Sequence, residues 1–581
     1  MKSIYVYLFF VITICFAKTE KKNGLTFSVA MQQNTEGVKF LEKYILDFSS
    51  NIKSSLYGKY LTTDEICSLT STSDNHFHKV INWFSDRKIE CRRQCDALKC
   101  NGYVRHINDA LKTDISLRED FTTGRLKLYS SVSYTIPDEL KESIVFIDGL
   151  SNSVYSNSLK YKKYHDKLKS IDNSVVSREV LQRLYNLSDT SVNNRVSVGA
   201  MEYMGGNGFS NDDLQVDQVY NGVTKNPIQP NHILGINNYK DGESTLDVQV
   251  MYWAASGATL WYEDFNGGNH GWMYSWANDF LNRTDYPHVV SLSWGWDERY
   301  QCSITKCTHE TSKQYVDRTN IEFMKIVARG TTIVVASGDA GSPGRTNELC
   351  DSNKGPYGWN HINPIFPGAS PWVLSVGATY ILPSMNKLKF NTPICTNVSG
   401  ITCSTGNVEQ MVSYNNVQWT SGAGTSLFSQ TPKWQQDVVN KYLSKRISFP
   451  DQQYFNKNGR FYPDVSAFGH NCVIYNGNDG WGSEDGTSCA SPIFAGIIAQ
   501  LNNVQLSKNK PLLGFVNPLL YKMYNESPLT FHDITVGNST CTEAMCCGKQ
   551  YGFLATEEWD IVSGLGTPNV GLIIEYLNKN T

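Results

Sequence analysis

The sequence predicts a two-part protein whose larger, C-terminal part is α/β, a parallel sheet with helices on both faces. Three observations carry this reading. Beyond residue 200 short apolar strand runs alternate with helical segments, the pattern of βαβ units. Several of those runs end in polar residues, at the strand ends where parallel sheets gather their chemistry. Between residues 151 and 169 the composition turns Ser/Asn-rich and then Lys-rich, as exposed linkers do.

Whole-chain properties agree. The 581 residues exceed one ordinary domain. Hydrophobic residues at 40% and aromatics at 12% supply a large core and exclude a disordered chain. With 52 Lys+Arg against 55 Asp+Glu the net charge is -3, which offers no field for a polyanion such as DNA.

At the N-terminus, Lys2 precedes an apolar run of 13 residues, Ile4 to Phe16, followed by Ala17 at a cleavage-like position. The run is too short to span a bilayer and reads as a signal peptide over residues 1–17. The mature protein is then expected to be soluble and inside the secretory system. Of 15 Cys, Cys15 leaves with that segment and an even 14 remain. Cys91, Cys95 and Cys100 resemble part of a metal knuckle, but no His follows at zinc spacing, and an oxidising compartment favours disulfides. Five Asn-x-Ser/Thr sequons, at Asn186, Asn282, Asn397, Asn525 and Asn538, suit glycosylated surface loops.

The strand and helix elements follow in order. His288 to Gly295 reads as a short strand ending in a turn. Ser312 to Arg329 reads as a helix closed by Gly330. Thr331 to Asp339 is a continuous buried-strand run, and Trp372 to Ala378 another.

Three segments carry candidate chemistry. Asp485-Gly486-Thr487-Ser488-Cys489-Ala490-Ser491-Pro492 precedes an apolar helical stripe of Ile493, Phe494, Ile497, Ile498 and Leu501. A Ser at the mouth of a buried helix sits where free N–H groups favour a developing anion. In Asp241-Gly242-Glu243-Ser244-Thr245-Leu246-Asp247, Glu243 and Asp247 are four apart and share one helix face. Ser337-Gly338-Asp339 ends the buried strand run. Each has a plainer reading on its own: Ser488 a helix cap, the acid pair a solvated face, Asp339 a turn residue. Cys489 beside Ser488 reads as a buried structural cysteine, disulfide-bonded or free, rather than a nucleophile.

Together, Glu243-x-x-x-Asp247, Ser-Gly-Asp339 and Gly-Thr-Ser488-x-x-x-Pro resemble the signature of the sedolisins, the serine-carboxyl peptidases. Further matches run in family order: Ser55 to Ile66 and Tyr134-Thr135-Ile136-Pro137 in the propeptide, Leu184-Tyr185-Asn186-Leu187 at the start of the catalytic domain, then Tyr462 to Ala467 and Gly564 to Asn569. The resemblance implies a subtilisin-like α/β fold preceded by an α+β propeptide domain, with residues 18–170 as propeptide and 171–581 as peptidase. It implies Ser488 as nucleophile, Glu243 as general base, Asp247 as the partner orienting Glu243, and a protonated Asp339 as donor to the oxyanion. The His-Gly-Thr string of subtilisins is absent; His270-Gly271 leads into Trp272. An acidic optimum follows, since an ionised Asp339 would repel an oxyanion, and with it a lysosome-like or secreted setting.

The resemblance further implies removal of tripeptides from free N-termini, an intramolecular propeptide inhibitor, and one structural Ca²⁺. Asp533 and Asp560 would give carboxylates to that ion, and Ile534, Thr556 and Glu558 backbone carbonyls. Here the sequence departs from the family, which has Gly at the positions of Thr556 and Glu558. An acid endopeptidase on the same machinery, and a non-catalytic secreted binding protein on the same fold, are the alternatives.

Overall fold

Two sheets organise the chain, and the larger one presents its strand ends to the candidate residues. The computed structural model describes residues 24–120, 125–130, 133–150, 162–163, 176–205, 207–265, 271–305, 311–347, 350, 362–381 and 409–580. The expected signal segment, most of the Ser/Asn- and Lys-rich stretch and the Asn397 sequon lie outside them.

The N-terminal unit is an antiparallel sheet of β1 (Gly24–Met31), β2 (Ile89–Gln94), β3 (Ala97–Tyr103) and β4 (Ile144–Asp148), in the order β2–β3–β1–β4. Helices α1 (Thr35–Tyr44), α2 (Thr63–Thr70), α3 (Asp74–Ser85) and α4 (Val104–Leu111) complete it. The start of α2 is a capping box, in which Thr62 and Glu65 satisfy each other's backbone N–H groups. Disulfides Cys67–Cys95 and Cys91–Cys100 use the early cysteines, as an oxidising compartment predicts.

The large sheet runs β6 (Ile233–Gly235), β7 (Thr259–Asp264), β5 (Ser197–Glu202), β8 (Val289–Leu292), β9 (Thr332–Ala336), β10 (Leu374–Ile381), all neighbours parallel. Strand β10 also pairs antiparallel with β11 (Glu409–Met411) and parallel with β12 (Val465–Phe468). The strand expected over Trp372 to Ala378 therefore starts later and runs on to Ile381, because β11 supplies partners for Thr379 to Ile381. The run Thr331 to Asp339 stops being strand after Ala336, and Gly338, at φ +99°, turns the chain outward.

Both faces of the sheet are buried, which is why its strands read as unbroken apolar runs. Val289 and Val334 join one core, Val290, Ile333 and Val335 the other. The first core packs helices α5 (Gly242–Ala254) and α9 (Thr487–Ser507); the second packs α6 (Met273–Leu281) and α7 (Ser312–Ala328). Helix α8 (Gln436–Leu443) flanks the first core.

The N-terminal unit docks on the α6/α7 face. Asp96, fully buried, accepts from Lys325 Nζ at 2.6 Å and Arg318 Nη2 at 3.1 Å on α7. Asp148, at the end of β4, accepts the Ser275 hydroxyl at 2.6 Å and the Trp272 and Ser275 N–H groups at 3.0 and 3.2 Å, so it covers the first turn of α6. Beyond it, Lys162 and Lys163 pair as a strand with Ser483 and Gly482, just ahead of Ser488.

Candidate active site

Helix α5 carries the acid pair. Asp241 caps it, accepting the Ser244 N–H at 2.9 Å, which fixes the helix start and stacks Glu243 and Asp247 one turn apart. The solvated-face reading fails, because every residue from Glu243 to Ala254 is buried, with Glu243 4% and Asp247 0% exposed.

Helix α9 carries Ser488 in its first turn, 1% exposed. Gly486 before it sits at φ +151°, a backbone shape that L side chains rarely adopt. Pro492 has no N–H to return to the Ser488 carbonyl, and the Ser293 hydroxyl oxygen lies 3.5 Å from that carbonyl instead. Further along, a Cβ added at Gly496 would meet the Met251 carbonyl oxygen at 2.4 Å and the Ala254 Cβ at 2.9 Å. Bare backbone there lets α9 lie directly on α5, which brings Ser488 to Glu243. Cys489 is buried and bonded to Cys472, so it is structural.

Asp339 arrives from the end of β9. Its Oδ1 accepts both the Thr487 N–H at 2.8 Å and the Thr487 hydroxyl at 2.7 Å. Ser293, Trp294, Asp339, Arg345, Thr487 and Ser488 share one cleft. Arg345 pairs there with Glu543, Nε to Oε1 at 3.1 Å.

Two neighbours were missed by sequence reasoning. Glu202 ends β5, wholly buried, and accepts from Trp294 Nε1 at 2.6 Å. Ser293 donates to Asp247 Oδ2 at 2.6 Å. A polar residue at the carboxyl end of an apolar strand run was the signal that found Asp339, and the same signal marks Glu202 and Ser293. The other oxygens, Glu202 Oε1 and Asp247 Oδ1, are buried without a donor, so one proton shared between the carboxyls would satisfy both.

Burial raises all four carboxyls. Loss of water is the largest cause at Glu243, followed by the charges of Asp247 and Asp339, while the nearby Ser488 hydroxyl pulls the other way; neither Glu243 oxygen has a donor at full hydrogen-bond distance. Asp247 is raised by burial against the pull of its Ser293 bond, and Glu202 by burial and then by Asp247 and Glu243. Asp339 is raised by burial and by Glu543, against Arg345 and the Thr487 bonds. The cluster thus holds protons well into the range where exposed carboxyls are charged.

Of the five residues expected around Ca²⁺, Asp533 meets Glu558 and Asp560 meets Thr556 at the C-terminal loop. Asp533 Oδ2 accepts the Glu558 N–H at 2.7 Å. Asp560 accepts N–H groups of Thr556 at 2.8 Å, Val562 at 2.7 Å and Ser563 at 2.9 Å. The N–H groups of Thr556 and Glu558 thus take acceptor sites on the two carboxylates expected to bind the ion.

Comparison with known proteins agrees with the fold and the motif order. Residues 17–153 match the pro-kumamolisin activation domain and residues 233–511 the subtilase family. Physarolisin of Physarum polycephalum is 36% identical over 558 residues, covering 94% of this chain and 92% of that protein. Tripeptidyl-peptidase 1 is 27% identical in Homo sapiens, over 97% of this chain and 92% of the relative, and 28% in Dictyostelium discoideum, over 95% and 88%. A Pseudomonas sedolisin, a serine-carboxyl proteinase complexed with pseudo-iodotyrostatin, shares the fold at a TM-score of 0.51 and 22% identity, over 70% of this chain and 99% of that one. The chain therefore belongs to the sedolisin family of serine-carboxyl peptidases, built as a zymogen with its activation domain as its own inhibitor.

Proposed function

We propose that the chain is an acid-activated peptidase that releases tripeptides from free N-termini, with Ser488 as nucleophile. One observation carries the reading: Ser488 lies buried at a helix mouth beside Glu243, with Asp339 lining the same cleft and raised by burial. In its ionised form, with the shared proton on the Asp247–Glu202 side, Glu243 takes the Ser488 proton as the hydroxyl attacks the scissile carbonyl, then returns it to the leaving amine. Asp247, held by Ser293 and next to Glu202, orients Glu243 and shares protons with it. Asp339 presents its free oxygen as a protonated donor to the oxyanion. The tripeptide specificity rests on the likeness to the tripeptidyl-peptidases 1.

The activation domain, ending before about residue 170, is removed in an acidic compartment of the secretory route. The described disulfides fit that route, and no described helix is long and apolar enough to cross a membrane.

The test is hydrolysis of a tripeptide amide with a free amine, and of the same peptide N-blocked, from pH 3 to 8, with acid-processed protein and its Ser488→Ala variant. Acid-only cleavage of the free-amine peptide, lost in the variant, supports the proposal. Cleavage of both peptides makes the enzyme an endopeptidase. No Ser488-dependent turnover after complete processing leaves a binding protein on a peptidase fold.

A further inference from the structure

A cation of the chain itself reaches the loop expected to hold calcium. Lys445, two residues beyond α8, directs its ammonium into the Thr556–Asp560 loop. It donates to the Thr556 hydroxyl at 3.0 Å, to the Trp559 carbonyl at 3.2 Å and to the Glu557 carbonyl. An ammonium has three N–H groups, and the loop gives it three oxygens.

The two departures from the family's glycines are each answered by a lysine. Thr556 provides the hydroxyl bound by Lys445. Glu558 provides a carboxylate bound by Lys441 Nζ at 2.7 Å. Lys441 and Lys445 are four residues apart at the carboxyl end of α8, where the helix dipole favours positive charge. The peptide planes complete the arrangement. The Glu558 N–H turns to Asp533, so the Glu557 carbonyl on the same plane turns away, to Lys445. Glu558 keeps the left-handed backbone a glycine would take, at φ +62°, held by its bonds to Asp533 and Lys441.

We propose that in this chain the Lys445 ammonium, supported by Lys441, replaces the family's structural calcium and ties the C-terminal loop to α8, so that the protein folds and keeps its stability without calcium. The inference concerns a loop apart from the cleft and does not depend on the peptide specificity.

The test uses the full-length zymogen. Its calcium content after desalting is measured by atomic emission, and its Tm is measured in EGTA and in excess CaCl₂. The expected result is far less than one calcium per chain and the same Tm in both buffers. A second arm, Lys445→Met, which keeps the stem and removes the charge, is expected to lower Tm by about 1–2 °C. One tightly held calcium per chain, or a wild-type Tm that falls in EGTA and recovers with CaCl₂, would overturn the proposal. So would a Lys445→Met variant with unchanged Tm. Should that variant fail to accumulate, Lys441→Met carries the same expectation at smaller size, and the wild-type calcium content decides independently.

Discussion

Thr487 donates twice to one oxygen of Asp339: its N–H reaches Oδ1 at 2.8 Å and its hydroxyl at 2.7 Å. An oxygen that accepts two donors is not where a carboxylic acid keeps its proton, so the acid form of Asp339 carries it on Oδ2. Asn at this position can accept from Thr487 through Oδ1 and present an N–H₂ in place of the protonated Oδ2. Asp339→Asn is therefore expected to keep measurable activity and to lose the fall in kcat/KM above the optimum, where the acid would ionise. Asp339→Ala is expected to lose about 10²–10³-fold in kcat at all pH values. A pH–rate profile of both variants checks this, and an unshifted alkaline limb in Asp339→Asn contradicts the role.

The Ser293 hydroxyl holds down the proton affinity of Asp247, which burial raises. Removing it in Ser293→Ala lets that affinity rise further. The acid–base pair then gives up its proton at higher pH, and the acid limb of the rate profile is expected to move upward. A limb that stays in place would show that Asp247 does not titrate with the base.

Gly496 lets α9 touch α5, with the Met251 carbonyl oxygen 2.4 Å from any added Cβ. Gly496→Val forces the helices apart and is expected to cost roughly 1–3 kcal/mol of stability. Because Ser488 and Glu243 ride on the two helices, kcat is expected to fall more than KM rises. Denaturant melts and steady-state kinetics read the two effects separately.

Stability is expected to fall between mildly acid and neutral pH. Glu409 is buried, and loss of water raises it to about 7 despite bonds from Thr379, Thr567 and Tyr185. A carboxyl raised in the folded state stabilises the fold fully below its free value of 4.5, and that contribution is lost as pH rises through about 7. The full loss is on the order of 3 kcal/mol. Glu409→Gln is expected to flatten Tm against pH from 5 to 8; an unchanged slope would place the titration elsewhere.

At the zymogen interface, Lys325 and Arg318 hold Asp96 well below the usual carboxylate range in spite of its burial. Asp96 thus stays charged through acid activation, and the contact resists release. Asp96→Asn removes the activation domain's charge from this contact and leaves Lys325 and Arg318 paired with Glu322 of their own helix. The activation domain is then expected to leave at higher pH and at least about tenfold faster, read by gel analysis of timed acid shifts.

Much of this protein was legible in its sequence because local rules and tertiary needs coincide there. Buried parallel strands must be apolar throughout, so Thr332 to Ala336 and Leu374 to Ala378 announced themselves. The four-residue spacing of Glu243 and Asp247 put both on one helix face before any fold was known. The early cysteines, read as disulfides, pair as Cys67–Cys95 and Cys91–Cys100. What spacing along the chain cannot express is which residues meet across it. The union of Glu202 with Asp247, of Thr487 with Asp339 and of Lys445 with the Thr556–Asp560 loop joins segments about 45 to 150 residues apart. The calcium expectation came from the family resemblance, carried onto Asp533 and Asp560. The orientation of the peptide planes and the reach of a lysine from another helix, which only the folded chain settles, turn those carboxylates to amides and put an ammonium among the carbonyls.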